Sequence, residues 1–440
     1  MTTVTSLPES SRTHGFKAGD VFLLFGELFP RGYANGLVDE AKKAGMTIIG
    51  ITVGRREKDN SLRPLSEEEL TQAQTNLGGE IINVPLWAGF DMDPANDGVS
   101  TASAAIATIK PSDWQGTKLD WDKIAESQAN SVARLRGSIA EMASELKGKI
   151  PKGANVFFAH TMAGGIPKSK IFLVLLNRAI KAMGDRAIPS KDLWESELGL
   201  LASKNYDAIT ADTFNELIQG TSEIREMVEA NGGVCTYSAY GYHGTEILID
   251  GEYRWQCYSP YLPGWSKKRL EDHAKAAFAK GIKAVVYNCP EVRTNSSDLF
   301  SGVEMPLYTL LRAIKKEGPG AWAEEQFQAC SALLKEEYTL EQMLDEVDAY
   351  HVCPEISPYY ADFANWPLHN NPEMVTVMLT ASDRVMAMNS DKKNLVTDHL
   401  SGLVVESSGR LMFNEAYQPH GPVLWLNHDL IAKELNQHHQ

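Results

Sequence analysis

Short, uninterrupted apolar runs alternate with amphipathic helical stretches through about residue 315, and this alternation limits the fold more than any other feature of the chain. "VFLLF" (21–25), "MTIIGITV", "EIINVPL" (80–86), "ANVFFAHTMAGG", "VCTYSAYGYHG" and "IKAVVYNCPEVRT" read as six strands. "YANGLVDEAKKAG", "WDKIAESQANSVARLRGSIAEMASELKGK", "IFLVLLNRAIKAM", "DTFNELIQGTSEIREMVEANGG" and "KKRLEDHAKAAFAKG" carry the helical period. Strands that are apolar on both faces need cover on both faces, and intervening helices supply it. The order predicts an α/β fold built on a doubly wound parallel sheet. In such sheets ligands sit beyond the carboxyl ends of the strands, where the Gly, His, Thr, Tyr and Arg residues of this chain fall. Residues 88–121 read as a long loop.

After about residue 317 the pattern changes. "EGPGAWAEEQFQACSALLKEE" and "TLEQMLDEVDAYH" read as helices, and "CPEISPYYADFANWPLHNNPEM" is turn-rich. "VTVMLTASDRVMAM", "SGLVVESSG" and "GPVLWLNHD" read as strands around turns. The expected organisation is a flexible arm at 1–18, a catalytic α/β domain at 19–318 and a C-terminal α+β extension at 319–440. The extension is expected to be a structural cover or an oligomer contact, with a substrate lid as the further alternative.

The formal charge of −15 argues against a nucleic-acid partner. No apolar run approaches the ~18 residues that a membrane span needs. The N-terminal stretch lacks the apolar core of a signal peptide. Five scattered cysteines without C-x-x-C suggest reduced thiols in the cytoplasm and no zinc site. The terminal "HHQ" reads as a frayed tail, so no metal is expected.

The stretch "FGELFPRGYANG" places Gly26-x5-Gly32-x3-Gly36 between the first strand and the first helix. A strand, a glycine turn and a helix N-terminus form a phosphate-binding unit, because backbone N–H groups can approach an anion there. A plain strand-to-helix turn has the same parts. A second candidate lies in "YSPYLPGWSKKRLEDHAKAAFAKG". Leu270, Ala274, Ala277 and Phe278 share one helix face. Lys267 lies near the centre of that face, and Lys268 lies off it among Glu271, Asp272 and Lys275. A lysine on the core side either snorkels or points into a cleft. Tyr258 precedes Lys267 by nine residues and Tyr261 by six.

These features, in this order, resemble the short-chain dehydrogenase/reductase superfamily, with its Rossmann-like sheet. More narrowly they resemble its divergent enoyl-acyl carrier protein reductase branch. "FGELFPRG" keeps the first and third glycines of T-G-x-x-x-G-x-G at Gly26 and Gly32, with Pro30 for the middle glycine and Phe25 for the threonine. "AHTMAGG" (159–165) is similar to the H-S-I-G stretch of enoyl reductases. "NCPEVRT" (288–294) is similar to A-G-P-I-R-T, with Pro290 and Glu291 where Gly and Pro are usual. Tyr258-x8-Lys267 and "EMPLYTLLRAIKKEG" (304–318) resemble the larger, triclosan-resistant type. The resemblance covers roughly residues 20–318.

The resemblance implies hydride transfer from a reduced nicotinamide to the β-carbon of a trans-2-enoyl thioester. Tyr258 would stabilise the enolate oxygen, Lys267 would anchor the cofactor, and Tyr240 would be a second tyrosine or a packing residue. The implied cofactor set is Gly26, Glu27, Leu28, Arg31, Gly32, Tyr33, Arg55, Arg56, His160, Thr161, Met162, Lys267, Pro290, Val292 and Thr294. His160 reads equally as a core histidine. The second strand ends in "VGRREKD", where dinucleotide enzymes read the adenosine ribose. Arg55 and Arg56, helped by Arg31, favour the 2′-phosphate of NADPH; Glu57 keeps NADH open, and a solvated charge run is the plain alternative. The implied partner is an acyl carrier protein or a CoA thioester, with "IPKSK" (166–170) and "KKR" (267–269) as docking candidates, and a homo-oligomer is compatible. His243 and Glu246 have no assigned role. Two alternatives stay open: an NADP-dependent carbonyl reductase or alcohol dehydrogenase using Ser238, and a non-catalytic dinucleotide-binding protein.

Overall fold

The structure, a computed structural model, describes residues 15–167, 169–241, 244–256, 264–294, 297, 302, 304–359 and 370–439. Among them, seven strands form one parallel sheet. They are β1 (Val21–Phe25), β2 (Thr47–Ile51), β3 (Glu80–Ile82), β4 (Val156–His160), β5 (Cys235–Gly241), β6 (Lys283–Asn288) and β7 (Val423–Trp425), in the order β3-β2-β1-β4-β5-β6-β7. The chain steps outward from β1 to β3, then crosses back to lay β4 on the other side of β1. Every residue of β1, β4 and β5 is buried, as their unbroken apolar runs require.

Helices cover both faces. Phe22, Leu24 and Phe157 pack with α1 (Ala34–Lys43), which carries Leu37 and Val38. α2 (Glu67–Leu77) lies between β2 and β3 in the chain. On the opposite face Val21, Leu23 and Phe25 pack with α3 (Trp121–Lys147), α4 (Thr213–Gly220) and α5 (Gly264–Phe278) through Leu135, Phe214 and Leu270. The α1 face also receives α6 (Met305–Glu317), α7 (Pro372–Met388), α8 (Val396–Ala416) and α9 (His428–His438).

The extension therefore shares the main core and contributes the seventh strand. Two of its three expected strands are helices. In α7 the buried residues Met374, Val375, Met378, Leu379, Ser382 and Val385 recur at helical spacing, after an Asn371 cap and Pro372 in the first turn. In α8, Leu400, Leu403, Val404, Ser407 and Ser408 do the same despite Gly402 and Gly409. Only "GPVLWLNHD" contains the expected strand, β7.

Three smaller expectations also change. Phe16, placed in the flexible arm, is buried and stacks on Phe157 with ring centroids 5.2 Å apart. The "HHQ" residues His438 and His439 are held rather than frayed: His438 ends α9, and His439 stacks on Trp322 at 5.0 Å. Residues 88–121 contain a short helix at Ala102–Ile106 and a 3-10 turn at Trp114–Gly116.

The sharpest packing constraint outside the sheet is where α1 crosses α8. A Cβ on Gly36 would lie 2.0 Å from Val405 O, and one on Gly409 would lie 2.3 Å from the Gly36 carbonyl carbon. The two backbones touch, and only glycine fits. Gly402, in the same helix, has open space at its Cβ position. Gly409→Ala should destabilise the fold by about 1–3 kcal/mol through forced displacement. Gly402→Ala should stabilise it by about 0.5–1 kcal/mol, the usual gain from replacing a helical glycine. Urea unfolding midpoints check both, and equal shifts for the two variants would contradict the contact.

Three histidines, His160, His351 and His428, are sealed in the interior, and burial lowers the pKa of each to about 3. In the unfolded chain they titrate near 6.5, so the unfolded state takes up their protons first as pH falls. Stability should therefore drop between pH ~6.5 and ~3, by up to about 1.4 kcal/mol per pH unit for each histidine. Denaturation curves at pH 7.5, 6 and 5 measure this; a flat profile across that range would contradict it.

Candidate functional site

The candidate site lies at the carboxyl ends of β1, β4, β5 and β6. Gly26 follows β1 with φ of 132°, and a Cβ there would sit 2.3 Å from Thr161 Oγ1. Thr161 itself donates from its backbone N–H to Phe25 O at 3.0 Å, which locks the end of β4 to the end of β1. Asn35 Nδ2 donates to Phe29 O and Gly32 O, each at 2.9 Å, and fixes the rest of the turn. Gly32, in contrast, has nothing within 4 Å of its Cβ position. The first turn of α1 carries no acidic residue, and Tyr33 at its N-cap makes no side-chain cap. Asn35 N–H turns back to Gly32 O at 3.3 Å, and a helix N-terminus of this kind favours an anion beside it.

On one side of this turn a cavity of about 560 Å³ is lined by Gly26, Glu27, Leu28, Thr52, Arg55, Glu68 and Glu69, among others. Glu27 Oε1 accepts from Thr52 Oγ1 at 2.5 Å and from Arg55 Nη1 at 2.7 Å. Arg55 Nε also lies 3.4 Å from Glu69 Oε1. Two carboxylates, Glu27 and Glu69, therefore engage the Arg55 guanidinium, and Glu69 is shared with Arg63. Arg56 departs from expectation. Its side chain is 4% exposed and pairs with Asp91 Oδ2 at 2.7 Å, while Nη2 donates to Ser103 Oγ at 3.1 Å. It anchors the 88–121 segment and is neither a phosphate reader on the cavity nor a solvated charge.

On the other side, Lys267 is 7% exposed, and its Nζ donates to Tyr240 O at 2.8 Å. Among the described residues this is its one hydrogen-bond acceptor. Burial lowers its pKa to about 8. Lys268, next in the chain, is exposed, as the helical period predicts. Glu271 does not follow that prediction. It is buried and accepts from Asn288 Nδ2 at 2.8 Å. Asn288 in turn fits beneath the end of β5, since a Cβ on Gly241 would lie 2.3 Å from its Oδ1.

Tyr240 stacks on Tyr33 with centroids 5.5 Å apart, and its hydroxyl donates to Tyr33 O at 3.3 Å. Tyr33 OH donates to Pro290 O at 2.7 Å. These bonds tie the turn, β5 and the segment after β6 together. Burial pushes the Tyr240 phenol well above its ordinary pKa, so it keeps its proton. His160 Nε2 bonds Thr213 Oγ1 at 2.7 Å and stacks on Phe25. With its depressed pKa it is a neutral core histidine in this geometry. Met162 and Val292 are buried nearby, and Thr294 N–H donates to Ser297 Oγ at 2.8 Å. Tyr258, Tyr261 and His243 lie outside the described residues. Glu246 is bonded to Asn427, whose Nδ2 donates to it at 2.9 Å. Ser238 is buried mid-strand, and its hydroxyl has no hydrogen-bond partner among the described residues.

Sequence reasoning missed Thr52, whose hydroxyl orients Glu27, and missed the partners of Arg293. That guanidinium is bonded by both oxygens of Asp398, at 2.8 and 3.0 Å, from the extension. The strand-end position of Thr52 was the available signal; nothing in the sequence pairs residues 293 and 398.

The chain matches the enoyl-acyl carrier protein reductase FabMG family over residues 3–435. It is similar to an apo structure of FabMG, described as a novel type of enoyl-acyl carrier protein reductase, with 52% identity and a TM-score of 0.95 over 100% of this chain and 98% of that one. It is also similar to a FabMG structure with NADH bound, at 45% identity and a TM-score of 0.79 over 100% of both chains. No curated protein matches it. The activity implied by the residues of the glycine turn, "AHTMAGG", Tyr258-x8-Lys267 and "NCPEVRT" is thus the activity of the family matched along nearly the whole length: the chain belongs to the enoyl-acyl carrier protein reductase FabMG family, and it is an enoyl-acyl carrier protein reductase.

Proposed function

We propose that this reductase works in the cytoplasm on trans-2-enoyl groups carried by acyl carrier protein, with NADH as its preferred reductant, in the cleft between the glycine turn and Lys267. The observation that carries the cleft assignment is Lys267. Among the described residues this buried ammonium has a single acceptor, which leaves N–H donors for the oxygen atoms of a bound group. Ribose hydroxyls of a dinucleotide laid over Gly26 and the first turn of α1 would supply them. The bound cofactor supplies the hydride for the β-carbon. Tyr258 donates its phenolic proton to the thioester oxygen, where negative charge develops. In the arrangement that the Tyr258-x8-Lys267 motif implies, Lys267 favours the phenolate and makes Tyr258 a better donor. Tyr240 keeps its proton on Tyr33 O and acts as a positioning residue for the turn.

The charge argument for NADPH reverses once partners are known. Arg55 is engaged by Glu27 and Glu69, and Arg56 by Asp91. A 2′-phosphate beside Glu27 would meet carboxylate repulsion, while a free 2′-hydroxyl can donate to it. The FabMG relative with NADH bound is in keeping with this reading.

Steady-state oxidation of NADH and NADPH with crotonyl-CoA, against acetoacetyl-CoA as the keto control, tests the assignment. NADH should give the higher kcat/KM by about tenfold or more, the scale of one uncompensated charged contact. Turnover with acetoacetyl-CoA alone, or a preference for NADPH, would contradict it. Glu27→Gln should narrow the cofactor difference; an unchanged ratio would remove Glu27 from the reading.

Two further substitutions separate the catalytic groups. Tyr258→Phe should lower kcat by roughly 10²–10³ with cofactor affinity nearly intact, the scale of one lost oxyanion donor. Full activity in that variant would direct attention to Tyr261. Lys267→Ala should weaken NADH binding and lower turnover. Lys268→Ala should change stability by less than ~0.5 kcal/mol and leave turnover with a CoA substrate nearly unchanged. The two lysine variants measured side by side decide between the faces of α5.

A further inference from the structure

A second cavity, of about 500 Å³, opens on the other side of the glycine turn, between the turn and the start of α8. Its charged lining is Arg31, Arg293, Lys392, Lys393 and Asp398. Four cations meet one carboxylate in a chain whose net charge is −15. Asp398 bonds Arg293 through both oxygens and lies 4.0 Å from Arg31. One carboxylate cannot neutralise both guanidinium groups. Lys392 and Lys393 are exposed, and their side chains make no hydrogen bond or ion pair among the described residues.

Plain solvated lysines would need no cavity and no neighbouring arginines. Here the cations come from three separate parts of the chain: the glycine turn, the segment after β6 and the loop before α8. Hydrogen bonds position all three stretches, two of them through α8. Asn35 holds the turn, Ser401 Oγ accepts from the Arg293 backbone N–H at 2.7 Å, and Asp398 accepts from Leu395 N–H at 3.1 Å at the start of α8. Convergence of like charge on one concave surface is unfavourable unless an anion offsets it. Gly32, with open space at its Cβ position, lies in the same wall and lets a ligand approach backbone.

We infer that the C-terminal extension completes a site for phosphate-group anions against the glycine turn, with the exposed Lys392 and Lys393 joining Arg31 and the Asp398-bonded Arg293 as its cations. The inference rests on the reductase reading above, which supplies two sources of the same chemistry. One is the pyrophosphate of the dinucleotide. The other is the phosphodiester of the arm that tethers the acyl group to its carrier. The site makes the extension a working part of the cleft rather than only a cover.

Pyrophosphate is the probe, titrated calorimetrically at low salt into the full chain, into Lys392→Ala/Lys393→Ala and into Asp398→Asn. The double variant should bind at least about tenfold more weakly, and Asp398→Asn several-fold more tightly, with both effects shrinking as salt rises. Equal affinities in the three proteins, or no binding by the wild type, would overturn the inference. The source is read by two further measurements. Weaker NADH binding by the double variant assigns the site to the dinucleotide. A raised KM for an acyl carrier protein substrate, with the KM for an N-acetylcysteamine thioester unchanged, assigns it to the carrier arm. If neither changes, the site has no part in the reaction and the inference fails. Pyrophosphate binding needs no turnover, so a chain inactive on enoyl thioesters would still reveal the site. An active enzyme with no response to the lysine substitutions would refute the site alone.

Discussion

The contact between Gly26 and Thr161 sets the geometry on which the site depends. β1 and β4 are neighbours in the sheet, yet β1 leads outward to β2 and β4 leads the opposite way to β5. A crevice must open where the two chains part. Thr161 fills the position that a side chain at residue 26 would need, and the turn can leave β1 only with a left-handed φ. That exit directs the turn into α1. α1 then settles directly on the α8 backbone through Gly36 and Gly409. Gly26, Gly36 and Gly409 thus bring three parts of the chain, β4, α1 and the extension, to the same crevice.

The sheet was legible because strands buried on both faces have no room for polar residues, and their runs stand out from any neighbour. The distinction between Lys267 and Lys268 was legible for a related reason: adjacent helical residues differ by about 100° in direction, so one periodic face decides both. α2 left no such trace. Only Leu77 in it is buried, so its apolar period is nearly absent, although Ser66 and Glu69 form a capping box at its start. α7 and α8 were misread because β-branched residues, serines and glycines outweighed a helical spacing that was present. In α8 the glycine is there to admit another backbone, not to end the helix.

The site residues that escaped sequence reasoning share one physical cause. Local sequence gives the charge of a side chain but not its partner. Arg56 meets Asp91, 35 residues on, and Arg293 meets Asp398, 105 residues on. Glu271 looked solvated by period alone, yet Asn288 on β6 makes burial tolerable. At the end of the second strand the charges of Arg55 and Arg56 were legible, but their partners Glu27, Glu69 and Asp91 were not. A backbone requirement is more local: Gly26 has a φ of 132° and Thr161 against the position of its missing Cβ.

The polarity of the crevice follows from those partners. Around one turn of about seven residues the lining changes from acidic, with Glu27, Glu68 and Glu69, to basic, with Arg31, Arg293, Lys392 and Lys393. A ligand with uniform charge would gain at one end and lose at the other. A ligand with hydroxyl donors at one end and phosphates further along gains at both, which is the polarity of a dinucleotide that lacks a 2′-phosphate. Lys267 extends the logic to the third position. Its ammonium is buried at a cost that Tyr240 O offsets only in part, and the drop in its pKa to about 8 reflects that imbalance. With a pKa of about 8 this lysine keeps its proton near neutral pH, and polar groups of a ligand beside it would stabilise that charge further.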